Sequence, residues 1–132
     1  MANEKIIVVD DEQDIREFLQ VVLEGRQYSV ITAADPKEGM EKIKAEKPDL
    51  AILDVMMSTW SDGFEMAREL KNDPQSKDMP ILMLTGVKDK TGMDFKGAAG
   101  DPTWCPVDGY LNKPVEPEVL LAEVEKLLPK SN

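Results

Sequence analysis

Ile6-Ile7-Val8-Val9-Asp10-Asp11 sets four apolar residues directly before two carboxylates, and the same arrangement returns along the chain. Leu50-Ala51-Ile52-Leu53 runs into Asp54, Ile81-Leu82-Met83-Leu84 into Thr85, and the shorter Gly109-Tyr110-Leu111 reaches Lys113 two residues on. Short apolar runs closed by polar residues read as strands buried on both faces, the pattern of a parallel sheet. In open α/β sheets the ligand crevice lies beyond the carboxyl ends of the strands. Asp10, Asp11, Asp54, Thr85 and Lys113 are therefore expected to converge there, with three carboxylates, a hydroxyl and an ammonium in one site.

Between these runs the periodicity is helical. Ile15, Phe18, Leu19, Val22 and Leu23 recur at the spacing of one helix face, Gly25 is expected to end that helix, and Asp11 or Glu12 stands where it could be capped. A weaker strand, Tyr28 to Ala33, leads into Asp35-Pro36-Lys37-Glu38, where Asp caps, Pro suits the first helical position and Glu38 completes a capping-box spacing. The second helix is expected to run through Met40 and Ile43 to Pro48. Asp62-Gly63 opens a third with Phe64, Ala67 and Leu70, stopped by Asn72-Asp73-Pro74, and a final helix from about Pro117 carries Leu120, Val124, Leu127 and Leu128. From Gly86 to Pro106 glycines and prolines interrupt the pattern, and only Met93 to Ala99 suits a short helix. Five alternations of strand and helix predict an α/β domain with helices on both faces of the sheet.

At 132 residues the chain is the size of one domain and can bury roughly two-thirds of its surface. Lys and Arg number 16 against 26 Asp and Glu, a net charge of −10, which works against contact with phosphate backbones or anionic membranes. No direct nucleic-acid or membrane partner is expected. No apolar stretch approaches the ~20 residues that span a bilayer, no basic segment leads into a secretory core, and a cytoplasmic location is expected. With one cysteine, Cys105, and no histidine, internal disulfides and Cys/His metal clusters are excluded. Any metal must be held by oxygen.

A solitary Asp at a strand end is commonly a turn former or a helix cap. Three together need more, because Asp10 and Asp11 facing Asp54 would repel by roughly 4 kcal/mol per pair at ~4 Å with an effective dielectric of about 20. Lys113 supplies one compensating charge. A hard divalent cation such as Mg²⁺, which takes carboxylates, carbonyls and retained waters, would supply the rest.

Val9-Asp10-Asp11-Glu12, Leu53-Asp54-Val55-Met56-Met57, Leu84-Thr85-Gly86 and Tyr110-Leu111-Asn112-Lys113-Pro114, in that order along the chain, resemble the signatures of response-regulator receiver domains of two-component signalling, of the chemotaxis-regulator type. The resemblance implies a single receiver domain over residues 1–132 without an output domain, folded as a flavodoxin-like, three-layer, doubly wound sheet of five parallel strands in the order 2-1-3-4-5. It implies that Asp54 accepts a phosphoryl group from a phosphohistidine on a sensor kinase or histidine phosphotransfer protein. Asp10, Asp11, Asp54 and the backbone carbonyl of Met56 would hold Mg²⁺, with Mn²⁺ as a substitute. Lys113 would pair with the phosphate, and the Thr85 hydroxyl would donate to it. Thr85 and Tyr110 would be the switch pair that biases a partner-binding surface, and Pro114 matches the family's cis-proline. Such a chain catalyses its own phosphorylation and dephosphorylation but acts primarily as a switch for a downstream protein partner.

The chain departs from the pattern in two places. Ser58 stands where the family usually has Pro, in a loop one residue longer than usual that carries Trp60. The stretch between Thr85 and Lys113 is several positions longer than the family norm, which makes 86–109 an atypical, extended fourth-helix region containing Trp104 and Cys105. Met56 and Val87 match the two positions where the family tunes hydrolysis, and both are apolar, so a long-lived phosphoryl group is expected. A haloacid-dehalogenase-type phosphatase would want a second Asp two residues after the nucleophile, where Met56 stands, and an FMN site would be repelled by Asp10-Asp11-Glu12. The alternative that remains is a receiver-like interaction module that signals without phosphorylation.

Overall fold

The structure, a computed structural model, describes residues 4–54, 62–85, 108–112 and 116–128, with the backbone alone described at 62–64, 85, 110 and 112. Its elements follow one another as β1 (Lys5–Val9), α1 (Gln13–Glu24), β2 (Ser29–Ala33), α2 (Pro36–Glu46), β3 (Leu50–Asp54), α3 (Asp62–Asn72), β4 (Ile81–Thr85), β5 (Gly109–Asn112) and α4 (Pro117–Leu127). Four strands of five residues, ordered β2-β1-β3-β4, make the body of a parallel sheet, and the shorter β5 extends it beside β4. Among the described residues there are four helices. The extended region expected over 86–109 falls, but for Asp108 and Gly109, outside the described residues.

Strand alternation explains why the apolar runs are continuous. Ile7, Val9, Ala51, Leu53, Ile81 and Met83 face one side of the sheet and pack with Ile43 of α2 and Met66, Ala67 and Leu70 of α3. Their neighbours Ile6, Val8, Leu50, Ile52, Leu82 and Leu84 face the other side and pack with Leu19 and Leu23 of α1 and Leu120, Leu121 and Val124 of α4. Both faces are thus covered and three layers result. Each fully buried aliphatic side chain contributes about 1.5–3 kcal/mol, so the central strands, fully buried from Ile6 to Val9 and from Leu50 to Leu53, hold the sheet rigid beneath its carboxyl edge.

Helix ends depart from expectation in instructive ways. Asp35 caps α2 by accepting the Glu38 N–H at 2.8 Å, but Glu38 Oε1 in return accepts the Ala34 N–H at 2.8 Å, one residue before the cap. Helix α2 ends at Glu46, short of Pro48, because Lys47 turns left-handed at φ 50° and its N–H closes on the Ile43 carbonyl. Gly25 follows α1 in right-handed geometry, and the left-handed residue of that turn is Gln27, with φ 69°. Glu12 occupies the cap position of α1, but its side chain makes no capping hydrogen bond there. Phe18, expected on the core face of α1, is 37 % exposed, whereas Leu19 and Leu23 are fully buried.

Two contacts fix how the layers meet. Gly39 lets α2 lie close on β1, since a Cβ there would fall 2.8 Å from Val9 Cγ2 and 2.9 Å from Met66 Cε. At the outer edge, Lys42 Nζ donates to the Thr32 carbonyl of β2 at 2.6 Å, covering part of an edge that would otherwise be open to strand pairing.

Candidate functional site

The register of the sheet assembles the site. Val9 pairs with Leu53 across β1 and β3, so the next residues, Asp10 and Asp54, leave the two adjacent central strands at the same level. Asp54 pairs with Leu84 of β4, which puts the Thr85 backbone one step beyond, opposite Asn112 of β5. Sequence order thus becomes a row of polar residues along one edge.

Asp10 is wholly buried and Asp54 is 4 % exposed. Their carboxylates gather with those of Asp11 and Glu12, one oxygen from each lying within 4.8 Å of the others. Asp11 and Glu12 are exposed, so the cluster is deep on the sheet side and open to water on the loop side. Asp10 is held by its surroundings: its N–H donates to the Ala33 carbonyl at 3.1 Å, its Oδ1 accepts the Glu12 N–H at 2.9 Å, and its own carbonyl accepts Arg16 Nη1 at 2.8 Å. The Oδ1 bond two residues on is an Asx turn that folds the chain back over the strand end.

Beside the cluster, Glu38 sits at the head of α2. The Ala34 N–H, followed by the bond from Lys42 at 3.0 Å, holds its carboxyl below the usual range, with Arg16 adding a smaller attraction.

The donor set fits a hard divalent cation. All four groups offer carboxylate oxygen, the set mixes buried and water-facing ligands, and oxygen-only coordination with retained waters is what Mg²⁺ and Mn²⁺ take. Glu12 joins this set although the expected metal ligands were Asp10, Asp11, Asp54 and the Met56 carbonyl. The signal was present, three carboxylates in succession at a strand end. Of the other expected site residues, Thr85 and Tyr110 lie at the end of β4 and within β5 by their backbones. Met56, Lys113 and Pro114 lie outside the described residues, as do Ser58, Trp60, Val87, Trp104 and Cys105.

A doubly wound parallel sheet with buried acidic residues at the carboxyl ends of its two central strands is the flavodoxin-like α/β arrangement of a receiver. The profile described as the response regulator receiver domain matches residues 6–125, and the chain belongs to that family, the receiver domains of two-component signal transduction. It is 42% identical over 129 residues to the alkaline phosphatase synthesis transcriptional regulatory protein PhoP of Bacillus subtilis, covering 98% of this chain and 50% of that protein. To the phosphate regulon transcriptional regulatory protein PhoB of Pseudomonas aeruginosa it is 36% identical over 130 residues, covering 97% of this chain and 53% of that one. The chain therefore spans about half the length of these curated relatives. Among solved structures, the chemotaxis protein CheY4 of Vibrio cholerae superposes with a TM-score of 0.83 at 34% identity, covering 96% of this chain and 100% of that one. No helix among the described residues is long and apolar enough to cross a membrane.

Proposed function

We propose that this chain is a cytoplasmic, phosphorylation-driven switch: Asp54 accepts a phosphoryl group from a phosphohistidine on a sensor kinase or histidine phosphotransfer protein, and the change is passed to a downstream protein partner. The observation that carries the reading is the buried Asp54 at the end of β3, gathered with Asp10, Asp11 and Glu12 in a cluster that faces water. In the step itself an Asp54 oxygen attacks phosphorus, the P–N bond breaks, and its electron pair stays on the imidazole nitrogen, which takes a proton.

Asp10, Asp11 and Asp54, with the Met56 carbonyl, are the residues that would hold Mg²⁺; when bound, the ion supplies neutralising charge to the phosphoryl oxygens. Lys113 pairs with the phosphate, and the Thr85 hydroxyl donates to it and, with Tyr110, turns the occupancy of Asp54 into a change of surface. The membership of the family and the donor chemistry of the cluster support these roles.

Intact mass after incubation with acetyl phosphate, with and without Mg²⁺, tests the reading. One Mg²⁺-dependent phosphoryl adduct is expected on the unmodified chain and none on Asp54→Asn. A folded chain that binds Mg²⁺ and takes no adduct is instead an interaction module that works without phosphorylation. The apolar Met56 and Val87 leave no side chain to orient water, so the adduct is expected to decay slowly and Met56→Asn to shorten its lifetime. Rapid decay in the unmodified chain would contradict that expectation.

A further inference from the structure

We infer that Arg16 is a positioning residue for the acidic cluster, one that aims Asp10 and Asp11 by gripping the peptide between them. The inference rests on the reading of that cluster as a divalent-cation site. Among the bonds to Asp10 from described residues, those to the Ala33 carbonyl and from the Glu12 N–H involve backbone groups that come with the strand and the loop. A side chain adds to them: the guanidinium of Arg16 donates from Nη1 to the Asp10 carbonyl at 2.8 Å. That carbonyl belongs to the peptide plane joining Asp10 to Asp11, so its direction decides where the Asp11 carboxylate points once the Asp10 carboxylate is fixed.

Arg16 is built for the grip. Its own N–H closes the first helical bond of α1 on the Glu12 carbonyl at 3.1 Å, so one residue ties both ends of the loop 10–12. The side chain is half-buried, its planar fork of donors serves the carbonyl through Nη1, and its charge adds a small attraction on the Glu38 carboxyl of α2. A lysine would supply one bond on a more flexible stem. Removing the donor altogether frees the peptide to rotate and leaves a part-buried carbonyl without this partner.

Position and charge predict opposite signs, which makes the inference testable. If Arg16 mattered only as a positive charge near four carboxylates, its neutralisation would tighten binding of a cation. If it aims the ligands, its loss weakens binding, and groups that orient metal ligands are typically worth about 10- to 100-fold in affinity. The measurement is Mn²⁺ binding by electron paramagnetic resonance on the whole chain, for the unmodified protein, Arg16→Met, Arg16→Lys and Asp54→Asn, with thermal unfolding in chelator alongside. Arg16→Met is expected to bind Mn²⁺ about ten-fold more weakly and Arg16→Lys to recover most of the loss. Binding by Arg16→Met as tight as, or tighter than, that of the unmodified chain overturns the inference, even where its melting temperature falls, because a merely structural role moves stability alone. Should Arg16→Met fail to fold, Arg16→Gln carries the same comparison. An unmodified chain that binds no Mn²⁺, or an Asp54→Asn variant that binds it equally well, overturns the underlying site reading as well, an outcome distinct from a failure of Arg16.

Discussion

The two ends of the sheet use the same residue to opposite effect. At the amino end, Asp49 and Asp108 each stand immediately before a strand and bond the start of its neighbour. Asp49 accepts the Lys5 N–H at 2.8 Å while its own N–H reaches the Lys5 carbonyl at 2.6 Å. Asp108 accepts the Ile81 N–H at 2.8 Å and the ammonium of Lys71 at 2.9 Å, and returns its N–H to the Ile81 carbonyl at 2.9 Å. At the carboxyl end, Asp10 and Asp54 turn toward each other and toward Asp11 and Glu12. At the amino end each carboxylate pins a strand to its neighbour and stabilises the fold; at the carboxyl end the carboxylates, although Asp10 also has a partner in the Glu12 N–H, are gathered on one another, and a bound cation would relieve that repulsion. Stability is built into one end and responsiveness into the other.

The largest effect that can break this comparison is at Asp108. Asp108→Ala removes the acceptor of a part-buried strand N–H and takes the carboxylate from the Lys71 ammonium, which keeps the Met79 carbonyl at 3.0 Å. Hydrogen bonds to charged groups contribute about 1.5–3 kcal/mol each, and a loss of about 3 kcal/mol is expected in urea unfolding. A loss below about 1 kcal/mol would mean that the pinning is decorative.

The second effect comes from adding Mg²⁺ at a hundred times its dissociation constant. It should stabilise the unmodified chain by about 2.7 kcal/mol and leave Asp54→Asn nearly unmoved. In chelator the same variant carries the sign that sharpens the contrast: neutralising one member of the cluster should raise stability by about 1–2 kcal/mol through relief of like-charge repulsion, where Asp108→Asn at the other end should lower it. Equal signs at the two ends would show that the clustering of charge, and not burial or bonding, has been misjudged.

What could be read in advance follows the same division. The apolar runs at Ile6–Val9, Leu50–Leu53 and Ile81–Leu84 announced buried parallel strands because strand burial leaves a local mark, and Asp10 and Asp54 were legible as the residues that end them. Phe18 was misplaced because periodicity marks a stripe wider than the contact: the sheet takes Leu19 and Leu23, one turn apart, and Phe18 falls on the margin. Glu12 looked like a helix cap because it precedes α1, and only the turn made by Asp10 Oδ1 brings it into the cluster. Asp49 and Asp108 carry no such mark in the sequence. Their partners lie 44 and 27 residues away in sequence, and nothing local distinguishes such a pin from an ordinary loop aspartate.

The smallest effect concerns a residue that belongs to both descriptions. Glu38 stands near the acidic end of the sheet, yet like Asp49 and Asp108 it has its partners within the fold, the Ala34 N–H at 2.8 Å and Lys42 Nζ at 3.0 Å. These bonds hold its carboxyl below the ordinary range, the backbone N–H first and Lys42 second. A carboxyl whose folded value is depressed contributes stability that is fully present above the unfolded value and is lost as pH falls through the folded one. Glu38→Gln should therefore be less stable than the unmodified chain at pH 7, by only a few tenths of a kcal/mol because the side chain is partly exposed to water. The difference should close as pH falls below the ordinary carboxylate range, where the depressed Glu38 carboxyl finally takes its proton. Unfolding curves of the two proteins at matched pH values would show it. A difference that widens on acidification would mean that Glu38 is repelled by the neighbouring carboxylates more than it is held by Ala34 and Lys42, which would move it from the stabilising group into the responsive one.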